Sequence, residues 1–292
     1  MLTFGTRDAL DKQLFFREPF SQRYTLVIRT DVLAGSLPIQ TVTEIRWDLR
    51  VLRIGEEWTE MELITLDNEL LETNNPYLRD LARMNQAFAR MYGEIRVLID
   101  RSGQVIRLLN EDVIRRKWAS TKREMEEIDQ QSDAIRGIVQ MNDDIFTSPA
   151  KMVEAVQHNE FFDLYFGQVY GRRLPGEAPP RTKWNQFQQA KVEWGYDLNP
   201  DTALPAEASV PSVVVEVKGY PLTRLDRNWI RTAYGAFQNV DLEQLRPRLA
   251  ELGKYVIEPR TGRLKEAYFL KEEVADPRFV FSKMEYTLTS QA

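Results

Sequence analysis

The chain has 292 residues, 43% hydrophobic and 28% charged, with 44 acidic and 39 basic side chains and a net charge of −5. That length supports one large domain, or two intimately packed ones with a sizeable core, and the composition is that of a folded protein rather than a disordered one. The absence of cysteine excludes disulfides, thiolate zinc sites, iron–sulfur clusters and a cysteine nucleophile, and no basic block stands out that would serve nucleic acid.

Residues 1–16 carry charges every few positions and lack the apolar stretch of a signal peptide. Apolar runs elsewhere, such as Val213-Val214-Val215, fall far short of the roughly 20 residues that span a bilayer. If Met1 is the native start, a cytoplasmic location is expected, with no membrane span.

Residues 23–30, RYTLVIRT, read as a strand. Over 41–54, Ile45, Trp47, Leu49 and Val51 alternate with Glu44, Arg46, Asp48 and Arg50. This predicts a long strand with one apolar and one wet face, which belongs to an antiparallel sheet, because parallel sheets are covered on both sides. A turn at 54–57 leads to a third strand over 58–66. Thr73-Asn74-Asn75-Pro76 then starts a helix over 77–92, where Leu78, Leu81, Met84, Phe88 and Met91 fall at helical spacing.

Gly93 opens GEIRVLIDRSGQVIRLL, a hairpin turning at Arg101-Ser102-Gly103. Asn110 is the expected N-cap of the next helix, with Glu111 and Asp112 in the first turn, where negative charge suits the helix dipole. The helical pattern continues to about residue 142, as one long surface helix or as two broken near Ser132-Asp133. Ser148-Pro149 begins another helix, and 159–170 is a strongly aromatic segment.

Residues 171–180 and 199–211 read as loops rich in turn residues. Between them Val192, Trp194 and Tyr196 alternate, predicting one strand over 183–198. Strands are predicted over 212–218 and 229–237, followed by an amphipathic helix from Asp241 with Leu242, Leu245, Leu249 and Leu252 on one face and Gly253 as its terminating glycine. YVIEPRTGRLKEAYFL, about 160 residues after the first hairpin, repeats that hairpin's design, and a last strand covers 279–289.

The expected fold is α+β: a large curved antiparallel sheet with helices packed mainly on one face. The two hairpins mark either two related halves or a shared turn chemistry. Three segments are expected: 1–145; the aromatic and Pro-rich 146–211; and 212–292, packed with the first as one unit.

The chemical signals are sparse. His158, the one histidine, ends a helical segment, where it suits the helix dipole. Neither a glycine-rich phosphate loop nor a G-x-S-x-G elbow occurs, and no motif implies a cofactor or metal. The carboxylate candidates are Asp143 and Asp144, in an apparent loop, and Glu216, in a valine-rich strand. The aromatics Trp47, Phe88, Phe161, Phe162, Tyr165, Phe166, Trp184 and Trp194 either seal helices onto the sheet or line an apolar pocket or partner patch.

These signals point first to a non-catalytic binding or assembly protein meeting a protein partner or a second copy, for instance through a strand edge or the loop 174–180. The alternatives are a carrier of an apolar small molecule between sheet and helices, and a carboxylate-based hydrolase whose two acids would converge in one cleft.

Overall fold

A computed structural model describes residues 13–79, 90–128, 133–167, 169–201, 212–237 and 240–291. Eleven strands form one curved, unclosed antiparallel sheet. They are β1 (Phe20–Ala34), β2 (Leu37–Ile54), β3 (Thr59–Thr73), β4 (Glu94–Ile99), β5 (Val105–Leu108), β6 (Gly176–Trp184), β7 (Lys191–Asp201), β8 (Val213–Pro221), β9 (Arg248–Glu258), β10 (Arg263–Asp276) and β11 (Val280–Ser290). Among the described residues the longer helices are α1 (Glu111–Ile128), α2 (Asp133–Ile145), α3 (Pro149–Gln157), α4 (Glu160–Phe166) and α5 (Arg227–Tyr234).

Across the sheet the order is β5-β4-β3-β2-β1-β11-β10-β9-β8-β7-β6. Three strands, a helical segment and a hairpin make up the first set, β1–β5, and the same succession recurs in β6–β10 with α5. Both sets run across the sheet in the same direction, with β11 between them. The two hairpins that look alike in sequence, β4–β5 and β9–β10, therefore occupy corresponding places.

The alternation in β2 does what its chemistry requires. Ile45, Trp47, Leu49 and Val51 are buried on the inner face. On the outer face Arg46 is exposed, but Asp48 is buried, accepting hydrogen bonds from Ser21 Oγ and from Arg50 Nε and Nη2.

Helix α4 packs its aromatic side chains against the inner face. Asn159 caps it by accepting from the Phe161 N–H, and Phe161, Phe162, Tyr165 and Phe166 are all buried. Trp47 meets Phe161 edge-on at 5.2 Å, and Phe16 packs among Phe20, Tyr165, Phe166 and Tyr170 at 5.3–5.9 Å. The hydroxyls of the tyrosines around α4 find partners, as their burial demands. Tyr24 donates to Leu264 O at 2.7 Å, Tyr165 accepts from Leu264 N at 3.1 Å, and Tyr170 donates to Gly262 O at 2.8 Å.

Several expectations need correction. Residues 229–237 are not a strand: α5 covers 227–234, because Asp226 caps it by accepting from Asn228 N and Trp229 N, and Trp229, Ile230, Ala233 and Tyr234 form its buried stripe. Residues 241–253 are not a helix. Pro247 cannot continue one, and from Arg248 the chain is β9, whose inward set is Leu249, Glu251, Gly253, Tyr255 and Ile257. Glu251 and Gly253 broke the apolar alternation and left a spurious leucine period. Gly253 is in fact a packing site, since a Cβ there would lie 2.8 Å from Phe269 Cδ2.

Residues 171–180 are not all loop, for β6 starts at Gly176. A strand tolerates Pro179 and Pro180 there because β6 is a sheet edge and the pair sits at a register shift between Ala178 and Arg181. The strand predicted over 183–198 is two, split by a turn in which Asn185 Oδ1 accepts from Gln189 N and Ala190 N. The strand predicted over 58–66 runs on to Thr73.

The Asn110 side chain does not cap α1. It accepts from Arg96 N and donates to Glu94 O, tying the helix start to β4. The helix expected over 77–92 is helical at 77–79, and 90–92 form a turn. Leu81, Met84 and Phe88 lie outside the described residues.

Candidate functional site

Strand alternation places a charged group inside this otherwise apolar face. On β10 the inward set runs Ala267, Phe269, Lys271, Glu273 and Ala275, so Lys271 and Glu273 continue an apolar row. On β9 Glu251 does the same opposite Lys271, and on β6 Arg181 and Lys183 approach from the sheet edge. Where α4 ends over these strands, a recess of about 230 Å³ remains, lined among others by Leu164, Phe269, Tyr255, Tyr286, Lys271 and Asp163, with Lys183, His158 and Glu160 also on its wall.

The ion pairs at this recess differ in tightness. Lys183 donates to Glu251 at 3.0 Å, and Tyr196 donates to the same carboxylate at 2.7 Å. Asp163, on α4, lies 3.5 Å from Lys271 and 3.8 Å from Arg181, and its side chain is 41% exposed. Burial opposes the Asp163 charge, but Lys271, Lys183 and Arg181 outweigh it and hold the carboxyl below the usual range.

Burial likewise disfavours the Lys271 ammonium, but Tyr286, Asp163 and Glu251 more than offset this and raise it. Its Nζ also stands 5.1 Å from the Tyr286 ring centroid and 5.9 Å from that of Phe269, within cation–π reach. These contacts favour the protonated, hydrogen-bond-donating form of Lys271. Tyr255 and Tyr196 are pushed up by burial and by neighbouring carboxylates, so they remain neutral phenols.

A second buried carboxylate, Glu273, sits on the same strand. It accepts from Asn185 Nδ2 at 2.8 Å, Gln186 N at 2.7 Å and Tyr234 Oη at 2.7 Å. These contacts bind α5 and the 185–190 turn to the sheet, and every acceptor site they use is filled from within the protein.

The residues singled out from sequence fall in different places. Trp47, Phe161, Phe162, Tyr165 and Phe166 are brought together in the aromatic core, with successive ring centroids 5.0–6.2 Å apart. Trp194 is buried on β7 and stacks on Tyr196, whereas Trp184 is 52% exposed beneath the Lys191 ammonium. Phe88 lies outside the described residues.

Asp143 and Asp144 belong to α2 rather than to a loop, and each has its own cation. Asp143 accepts from Trp118 Nε1 and Lys122 Nζ, while Asp144 pairs with Lys151. Glu216 is exposed on the outer face of β8. His158 closes α3, its N–H donating to Glu154 O, and its side chain reaches the recess wall. No group of three or more His, Asp or Glu among the described residues could hold a metal ion, and no helix among them is long and apolar enough to cross a membrane.

Lys271, Asp163, Arg181, Lys183 and Glu251 were not found by sequence reasoning. One signal was available: once Ala267 and Phe269 are set inward, period 2 carries Lys271 inward too. Glu251 was hidden by the helix assigned to its strand.

In structural terms the chain belongs to the α+β class, with one open, curved antiparallel sheet and helices packed against it. No protein-family model and no curated protein matches the sequence. Among solved structures it is similar to lipovitellin, from work on lipid–protein interactions in lipovitellin, with TM-score 0.40 and 8% identity over 95% of this chain. The chain spans 25% of that lipovitellin chain.

Proposed function

We propose that this is a non-catalytic binding protein that holds a small amphiphilic molecule on the inner face of the sheet, in the recess beside α4. The observation that carries the reading is the recess itself: an apolar wall of Leu164, Phe269 and tyrosine rings meets the charged side chains of Lys271, Lys183 and Asp163, so that apolar and polar groups share one hollow as an amphiphile requires. Lys271 is held as a charged donor and Asp163 as a charged acceptor, a pair suited to holding a ligand. Of the aromatics singled out from sequence, Trp47, Phe161, Phe162, Tyr165 and Phe166 are not among the residues that line it.

A second reading, association with another protein, rests on a different place. At the β5 edge an open groove of about 900 Å³ exposes Ile106 and Leu109 beside Val113 and Val153. The sheet edges themselves argue against strand addition. β6 is interrupted by Pro179 and Pro180, and the Val105 N–H of the short strand β5 already donates to Gln157 Oε1.

Native mass spectrometry of gently purified protein separates the two readings. A bound species of at most a few hundred daltons, released on denaturation, is the expected result. A stoichiometric protein partner or homo-oligomer would favour the second reading, and a bare monomer that also takes up no added eight-carbon amphiphile would sink the first.

A further inference from the structure

We propose that the occupant of the recess is a single-chain anion, such as a medium-chain carboxylate, whose head group takes the position between Lys271 and Arg181 that Asp163 now holds loosely. The inference rests on the reading of the recess as a ligand site and names its ligand class. Three observations carry it.

The first is charge and distance. Arg181, Lys183 and Lys271 converge from β6 and β10, and only Lys183 has a close carboxylate partner, Glu251 at 3.0 Å. Lys271 and Arg181 reach Asp163 at 3.5 and 3.8 Å, and Arg181 otherwise donates to Gly167 O at 3.4 Å. Charge-assisted hydrogen bonds normally close to about 2.7–2.9 Å, as Arg53 does on Glu60 at 2.7 Å in this same protein. Two cations thus share one acceptor at the outer limit of pairing. A freely moving carboxylate can approach them more closely than one fixed to a helix.

The second is the origin of the acceptor. Asp163 hangs from α4, a short helix held down by its aromatic face, and its carboxylate is 41% exposed at the mouth of the recess. It can turn outward to solvent when another anion arrives, whereas Glu251, only 4% exposed and bound by Tyr196, cannot.

The third is size. At about 230 Å³ the recess lies below the roughly 300 Å³ at which pockets for drug-sized ligands begin. One short chain against Phe269, Leu164 and Tyr286 fits it, and a two-chain lipid does not.

The test compares octanoate with 1-octanol, a pair equal in chain length and different in head group, by isothermal titration calorimetry at low salt. The proteins are the wild type, Asp163→Asn and Lys271→Gln, each checked by circular dichroism. Octanoate is expected to bind at least about tenfold tighter than octanol. Asp163→Asn should tighten octanoate several-fold by removing its competitor, and Lys271→Gln should abolish the preference. Equal binding of the two probes, unchanged in Asp163→Asn, would overturn the anionic ligand and leave the recess a site for neutral amphiphiles. Absence of binding by either probe in both wild type and Asp163→Asn would overturn the site as well. If Lys271→Gln does not fold, the Asp163→Asn comparison decides alone.

Discussion

Two buried glutamates show how far partners, rather than residue type, set the behaviour of a charge. Glu60 is 3% exposed and receives Arg53 at 2.7 Å and Arg96 at 2.5 Å. Burial opposes its charge, but the two guanidinium groups win and lower its pKa. Glu273 is 1% exposed and receives only neutral donors. There burial dominates, and the pKa is raised despite Asn185, Tyr234 and the Gln186 N–H. The pH dependences run in opposite directions. The stability from Glu60 is fully present above the ordinary glutamate value of about 4.3 and is lost as pH falls through its depressed folded value. The contribution of Glu273 is fully present below about 4.3 and declines as pH rises through its raised folded value. Urea titrations over a pH series should therefore show Glu60→Gln less stable than wild type at pH 7, with the gap closing below about pH 4. Glu273→Ala should cost about 2–3 kcal/mol, because it strands two buried donors, Asn185 Nδ2 and Tyr234 Oη, and the part-buried Gln186 N–H. A Glu60→Gln gap that widened in acid would contradict this assignment. Neither role was legible in the sequence, since the partners lie on other strands, on α5 or in a distant turn.

Among the elements, the hairpin turns were the best-read features, and their glycines are required for two separable reasons. Gly103 has φ +81° and Gly262 φ +76°, conformations that residues with a Cβ rarely adopt. Space is closed as well: a Cβ at Gly103 would lie 2.1 Å from Phe166 Cγ, and one at Gly262 would lie 2.0 Å from Phe15 O. Gly35, in the β1–β2 turn, has φ +70° but no atom within 4 Å of such a Cβ. Gly35→Ala should thus cost about 1–2 kcal/mol from the backbone alone. Gly103→Ala and Gly262→Ala should each cost about 2–4 kcal/mol, because overpacking adds to the strain. Equal costs at all three sites in urea unfolding would show that the turns do not pack as described. Two of the misread elements, β9 and α5, failed for one cause. Their apolar residues match either period over a short stretch, and the deciding contacts come from Glu273, Phe269 and Lys191 elsewhere in the chain.

For the whole molecule, the decisive feature is the seam between the two ends of the chain. β1 pairs with β11 along eleven positions, from Tyr24↔Ser290 to Ala34↔Val280, and this joins the two repeated strand sets into one sheet. Such pairing closes the longest loop in the protein, so its entropy must be met before the contacts repay it. Deleting residues 280–290 should uncover β1 and β10 along their lengths and remove the buried Val280 and Leu288. The truncated chain is expected to lose its cooperative thermal transition by circular dichroism. Retention of a sharp transition would mean that one strand set folds without the seam.

The sequence by itself determined the α+β class, the antiparallel sheet with one buried face, and both glycine hairpins, because alternation and turn chemistry are local properties written into neighbouring residues. It also held the likeness of the two hairpins, which the strand order places at matching positions. Only the tertiary structure decided that the terminal strands meet at the centre of the sheet and that the 248–258 segment is a strand. It alone brought Asp163, Arg181, Lys183, Glu251 and Lys271 around one recess. Those five side chains come from four separate elements, and a charge buried among apolar neighbours looks in sequence like any exposed charge until the strands on either side are in place.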